Sequence, residues 1–302
     1  MSTSTNARRA QVVAARALRA AADRLAPPSG KVEFSIRHPR AHSVHERLHR
    51  FPEVSEEESR QLELIDYFGW EIGHKAQACK RWFFGDDAAH PRFLENLGIS
   101  YWEYAVMHQY ALFNRYSPQR QDMFWVYDEI LRRLERLGGP QQLPVLDFGC
   151  GLGQIGLGFA LDGYRVVSAD KVPEELAFVR YLFESRGLMP DICQAEGDRD
   201  YYDSGADGRR FGCVIEWSVF EHIYDLVECT DAITRGLVPG GIFVTTTLAK
   251  DWTPELKEHY IHDSGDEKIS DQLFSREIED YVAEHFDVVS NPRSIAKLLI
   301  KK

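Results

Sequence analysis

A chain of 302 residues with 44% apolar side chains can bury one large core, or a core with a smaller cap. Its net charge is −11, yet residues 1–50 hold ten basic and three acidic side chains, so residues 51–302 carry −18. Such an acidic body is a poor surface for following a phosphate backbone, and no apolar run is long enough to span a bilayer, so neither nucleic acid nor membrane is expected as a partner.

Residues 1–30 read as a basic arm, disordered or docked on the acidic body, Ala- and Arg-rich with helical periodicity and ended by Pro27-Pro28-Ser29-Gly30. The arm has no apolar segment of secretory type. Being Arg-rich and acid-poor, it shares features with a mitochondrial presequence, and equally with an ordinary surface helix. The five cysteines, an odd number without framework spacing, argue for a reducing compartment, and a cytoplasmic location is expected.

Residues 31–140 read as a helical cap. Pro39 opens a helix that Phe51-Pro52 closes, and His38, His42, His45 and His49 share one of its faces. Four histidines at that spacing could form a metal stripe, but no carboxylate or cysteine stands at matching spacing, and no metal is expected. Helices follow over 55–68, 73–84, 100–116 and 122–137, the first with a capping box of Ser55 and Glu58, the last stopped by Gly138-Gly139-Pro140. The stretch 101–127 is dense in aromatics, which serve as core or as a lid that excludes water. Its candidate substrate-side residues are Tyr101, His108, Arg115 and Tyr116.

Residues 145–170, VLDFGCGLGQIGLGFALDGYRVVSAD, are the most informative stretch. An apolar run meets Asp147, glycines follow at 149, 151, 153 and 156, and a second apolar run ends on Asp170. Strand, tight turn, helix, strand and terminal acid form the layout of a nucleotide-type cofactor site in a parallel sheet. An ionised acid at the end of the second strand can accept from ribose hydroxyls. Two registers compete. Gly151, Gly153 and Gly156 satisfy the dinucleotide pattern, but that register puts Asp147 inside a buried strand, where an unpaired charge is costly. The earlier register, Asp147-x-Gly149-x-Gly151-x-Gly153, sets Asp147 at the strand's carboxyl end, where it can receive an ammonium group.

The earlier register resembles the first motif of the class I S-adenosylmethionine-dependent methyltransferases, and Asp170 resembles their ribose-binding acid. Residues 191–198 are similar to the third strand and the adenine-edge loop, with Asp198 as acceptor for the exocyclic amine. Residues 211–217 and the SVFEHI segment after them resemble the fourth strand and its sequel. Residues 237–244, LVPGGIFV, resemble the turn into the fifth strand, and apolar runs at 286–290 and 295–300 resemble a closing hairpin. The resemblance covers 143–302. It implies an α/β fold: a doubly wound, seven-stranded, mainly parallel sheet with a closing antiparallel hairpin, spanning 141–302 and preceded by the helical N-terminal cap region. It also implies S-adenosyl-L-methionine as cofactor, held by Asp147, Gly149, Cys150, Gly151, Gly153, Asp170, Lys171, Asp198 and Trp217.

Methyl transfer needs acceptor, methyl and sulfur in line, and an alcohol or phenol must also lose a proton. His222, just past the fourth strand, is the candidate base, while Trp252, His259 and Tyr260 are candidate substrate contacts. Glu216-Trp217-Ser218-Val219 stands where base- and glutamine-N-methylating relatives carry an Asn/Asp-Pro-Pro-aromatic run, which leaves a small-molecule acceptor methylated on oxygen or nitrogen, or on carbon. An inactive cofactor-binding subunit, another sulfonium reaction and a nicotinamide-dependent oxidoreductase stay open. Neither the acceptor nor the oligomeric state is legible.

Overall fold

The computed structural model describes residues 48, 50, 51, 53, 56–69, 106, 117–195, 209–248, 275–290 and 296–302. The chain divides between Ser117 and Pro118 into two compact units.

In the first unit, helix α1 (Glu56–Phe68) buries Leu62, Leu64 and Ile65. The segment before it is tied to the helix by main chain: Arg50 N donates to Glu63 Oε1 (3.2 Å) and Phe51 N to Ser59 Oγ (3.1 Å). These two bonds account for two polar side chains that are each only 1% exposed. Ser55, half of the expected capping box, lies outside the described residues.

The second unit opens at the second residue of α2 (Ser117–Arg136), a helix that begins five residues before the apolar periodicity does. Tyr127 fastens it to the sheet's first helix: its hydroxyl contacts Gly158 O (2.9 Å) and Asp162 Oδ2 (2.7 Å), and its ring lies 4.5 Å from that of Phe159. This aromatic is therefore core. The helix stands on the sheet's side of the division between the units, although Gly138-Gly139-Pro140 is the stronger break in the sequence.

Then follow β1 (Val145–Phe148), α3 (Gln154–Leu161), β2 (Val166–Asp170), α4 (Pro173–Glu184), β3 (Asp191–Gln194), β4 (Phe211–Glu216), α5 (Leu226–Gly236), β5 (Leu237–Thr245), α6 (Arg276–His285), β6 (Phe286–Ser290) and β7 (Lys297–Lys301). The seven strands form one sheet in the order β3-β2-β1-β4-β5-β7-β6. Its first five strands pair in parallel, while β7 runs antiparallel to both β5 and β6. This is the architecture the sequence led us to expect, closing hairpin included.

Strands buried on both faces read as near-continuous apolar runs, and β1, β2 and β4 do so. One face, carrying Asp147 and Val166, meets α3 at Gly156. The other, carrying Leu146, Phe148, Val214 and Phe243, packs against Leu226, Cys229 and Ile233 of α5 and Ile278 of α6. Each of the large side chains there that is fully buried contributes about 1.5–3 kcal/mol.

The expected turn before the fifth strand is instead an irregularity within β5. Phe211 of β4 pairs with Leu237, but Cys213 pairs with Ile242, so Val238–Gly241 are looped out of the ladder. Gly240, at φ 74°, supplies the left-handed residue that such an excursion needs.

Strand order reverses at β1: α3 leads from β1 to its neighbour on one side, whereas β4 lies on the other. The carboxyl ends of β1 and β4 therefore flank the switch point, where open α/β sheets bind ligands.

Candidate active site

The loop leaving β1 at this switch point is shaped by glycine. Gly149, Gly151 and Gly153 have φ of 65°, 49° and 65°, a region closed at ordinary cost to residues with a Cβ. Short main-chain bonds fold the loop back on the sheet: Cys150 N donates to Ala169 O (3.0 Å) and Gly153 N to Cys150 O (2.7 Å). A Cβ on Gly153 would lie 2.8 Å from Val179 Cγ2, so the loop is packed from below by α4 as well.

Asp170 ends β2 beside this loop. Its Oδ2 accepts from Gly151 N (2.8 Å), and its Oδ1 from Lys171 N (2.7 Å) and Val172 N (3.1 Å). A carboxylate offers about four lone-pair positions, so these three main-chain donors leave room for roughly one more. The acid is thus fixed in place and 8% exposed, with capacity for one ligand hydroxyl where the sequence suggested two. Lys171 follows at once. Burial lowers its ammonium pKa, an effect opposed by the carboxylate of Asp170 and by Cys229.

Asp147 is not at the strand's carboxyl end, which corrects our expectation. It is third of the four residues of β1 and 3% exposed, and its Oδ2 accepts from Gly156 N at 2.9 Å. The buried acid in the strand, which counted against the dinucleotide register, is what the structure contains. Its cost is met by that hydrogen bond and by a carboxyl pKa of about 7, raised first by burial and further by Asp170, while the Gly156 bond lowers it. The bond is useful to α3, whose N-cap, Gly153, has no side chain to satisfy the first-turn N–H groups. Cys150, half-buried, is a neutral thiol: burial and the carboxylates of Asp147, Asp170 and Glu175 push its pKa well up.

Across the switch point, Glu216 ends β4 as the register partner of Phe148, so Trp217 leaves the sheet alongside Gly149. Trp217 is half-buried. Ser218 is the one described residue other than glycine with a left-handed φ, 57°, a conformation that costs about 1 kcal/mol. A single turn of 3-10 helix, Phe220–His222, follows, and exposed His222 ends it with its N donating to Val219 O (2.8 Å).

Behind that turn is a group of buried polar residues that sequence reasoning missed. Glu216 and Thr245 are 0% exposed, Thr247 0%, Thr246 2% and Glu221 5%. Glu216 Oε1 accepts from Val219 N (2.8 Å), Phe220 N (3.2 Å) and Thr247 Oγ1 (2.8 Å), and its Oε2 from Thr245 Oγ1. Burial raises the Glu216 pKa, and these four donors oppose the rise. A glutamate closing an apolar run, with three threonines closing the next, was the available signal.

The structure therefore brings Gly149, Cys150, Gly151, Gly153, Asp170, Lys171, Trp217 and His222 to the carboxyl ends of β1, β2 and β4, with Asp147 buried inside β1 beneath them. Asp198, Tyr101, His108, Arg115, Tyr116, Trp252, His259, Tyr260 and the stripe of His38, His42, His45 and His49 lie outside the described residues. Among the described residues no cluster of three or more potential metal ligands occurs, and no helix is long and apolar enough to cross a membrane.

Residues 119–299 match the family model of a methyltransferase domain. Over 139 residues the chain is 32% identical to the ubiquinone biosynthesis O-methyltransferase of Cereibacter sphaeroides, covering 45% of this chain and 54% of that protein. It is 25% identical to the protein of the same name from Methylobacterium sp. strain 4-46, over 54% of this chain and 64% of the other. The chain thus spans about half the length of the curated relatives it matches, or somewhat more. Among solved structures, the CurJ carbon methyltransferase superposes with a TM-score of 0.51 over 86% of this chain and 70% of its own, at 15% identity, a likeness of fold.

Proposed function

Since the chain belongs to the methyltransferase-domain family, we propose that it moves a methyl group from S-adenosyl-L-methionine to a hydroxyl oxygen of a small aromatic acceptor. The observation that carries this reading is the left-handed glycine loop at 149–153 clamped to the Asp170 carboxylate through Gly151 N. That cradle fits the nucleoside portion of the cofactor. It offers main chain bared at Gly149, Gly151 and Gly153 and one fixed acid with a remaining acceptor position. The choice of oxygen is supported by the name shared by the curated relatives, O-methyltransferases of ubiquinone biosynthesis.

When bound, the cofactor supplies a methyl carbon already activated by its sulfonium, so the protein's work is positioning and exclusion of water. The loop at 149–153 and Asp170 hold the nucleoside, Lys171 flanks it, and Asp198 takes the adenine edge. Asp147 works from beneath, by anchoring α3. His222, exposed on the same edge of the sheet, takes the proton of the acceptor hydroxyl. Residues 31–140 and 252–260 choose the acceptor, through Tyr101, His108, Arg115, Tyr116, Trp252, His259 and Tyr260. The −18 charge of residues 51–302 supports a reaction that involves neither nucleic acid nor a membrane surface, and four free cysteines among the described residues support the cytoplasm as its site.

Incubation with methyl-labelled S-adenosylmethionine and a panel of catechols, prenylated and plain, tests the proposal by product mass. Gain of one methyl group on a ring hydroxyl is expected. Calorimetric binding of a nicotinamide dinucleotide in place of S-adenosylhomocysteine would overturn it. His222→Gln should flatten the acidic limb of the pH–rate profile while leaving cofactor affinity in place; an unaltered profile removes His222 from the mechanism.

A further inference from the structure

Resting on the reading of the β1–β4 crevice as a methyl-transfer site, we propose that Glu216, Thr247 and Glu221 form a buried positioning device. It fixes the Trp217–Ser218 turn and thereby the placement of the acceptor, leaving affinity for the cofactor to the glycine loop.

Three observations converge. First, the turn is strained at Ser218, and strain of that kind persists only where surrounding structure imposes it. Second, each of three consecutive threonines at the end of β5 is spent on the turn or on the carboxylate beneath it. Thr245 Oγ1 donates to Glu216, Ser218 N donates to Thr246 Oγ1 (2.9 Å), and Thr247 Oγ1 contacts Glu216 Oε1 at 2.8 Å and Glu221 Oε2 at 3.3 Å. Thr245 Oγ1 in turn accepts from Thr247 N and Leu248 N, both at 3.1 Å, which locks the threonine run itself. Third, the device stands in a row of sheet partners, Phe148, Glu216, Thr245 and Lys297, where the first opens the glycine loop and the last is a lysine 8% exposed. Apolar residues would fill this space with less desolvation cost, so two buried carboxylates and three hydroxyls mark a demand for geometry over stability.

The division of labour follows from where the bonds run. Those of the glycine loop go to β2, from Cys150 N and Gly151 N, and to α3, where Gly153 O accepts from Leu157 N; those of Glu216 go to β5 and to the turn that leaves β4.

Thr247→Val deletes the shared hydroxyl at nearly constant shape, and Thr247→Ser retains it. We expect hydrogen exchange across 217–222 to quicken about tenfold in Thr247→Val, and kcat/KM for a prenylated catechol to fall by a similar factor. The affinity for S-adenosylhomocysteine should stay within about twofold, and Thr247→Ser should restore both lost properties. Unchanged exchange and kcat/KM overturn the proposal, as does a loss of S-adenosylhomocysteine affinity in step with kcat/KM. Should Thr247→Val fail to fold, Glu216→Gln is read by the same three measurements. A wild-type protein that binds no S-adenosylhomocysteine refutes the methyl-transfer reading instead, and the exchange comparison still reports on the turn.

Discussion

Asp147 lets a helix begin without a cap of its own: the first strand holds the carboxyl that the glycine N-cap of α3 lacks. The consequence is a pH dependence of stability. Burial, and then Asp170, raise the Asp147 carboxyl to about 7, whereas in the unfolded chain it returns to about 4. Between those values the folded protein keeps a proton that the unfolded chain has released. The contribution of this group is therefore complete below about pH 4 and is lost as pH rises through 7, by an amount on the order of 4 kcal/mol at 1.36 kcal/mol per pKa unit. Asp147→Asn removes the titration and keeps an oxygen for Gly156 N. Urea midpoints should show the variant gaining on wild type as pH rises from about 4 to 8; parallel curves would refute the assignment. Asp170→Asn should instead weaken S-adenosylhomocysteine binding by about tenfold or more in calorimetry, since one oxygen that accepts from Gly151 N, or from Lys171 N and Val172 N, becomes an amide.

At the scale of elements, what was legible in the sequence is what lies close along it. Asp147, the glycines and Asp170 fall within one strand–helix–strand unit, so spacing alone brought them together. The sheet followed from apolar runs in order, because strands buried on both faces leave that mark. Two features left none. The depth of Asp147 depends on where β1 begins and ends, and the apolar pattern Val145-Leu146-x-Phe148 fits either side of it. The Glu216 network joins residues 29 and 31 apart through the pairing of β4 with β5, and the register shift opposite Val238–Gly241 hides that alignment. Gly156 shows how closely the elements are fitted: a Cβ there would stand 2.7 Å from Asp147 Oδ2 and 3.0 Å from Val166 Cγ1. The obstacle includes a strand residue, so α3 must lift off the sheet to admit it. Gly156→Ala should cost about 1–3 kcal/mol in urea denaturation and weaken cofactor binding with it, because the same helix carries the loop. A stability equal to wild type would mean that α3 has slack the structure does not show.

For the molecule as a whole, charge and cofactor are matched in sign. S-adenosylmethionine carries a sulfonium and an ammonium against one carboxylate, a net positive charge, while its demethylated product is neutral overall. Residues 51–302 carry −18, a count that includes Asp170 beside the glycine loop and Asp147 buried beneath it. A field of that sign favours the charged donor over the spent product, which helps turnover by easing product exchange. Asp147 adds to the field as its carboxyl ionises around pH 7. Salt separates this long-range contribution from local contacts, since the screening length falls from about 10 Å at 0.1 M to about 3 Å at 1 M. Calorimetric Kd values for S-adenosylmethionine and S-adenosylhomocysteine, measured across that range at pH 8, should converge: the donor loses affinity with salt and the product changes little. Equal salt dependence for both ligands would mean that the acidic body plays no part in choosing between them, and that the loop at 149–153 and Asp170 do all the discriminating at contact range.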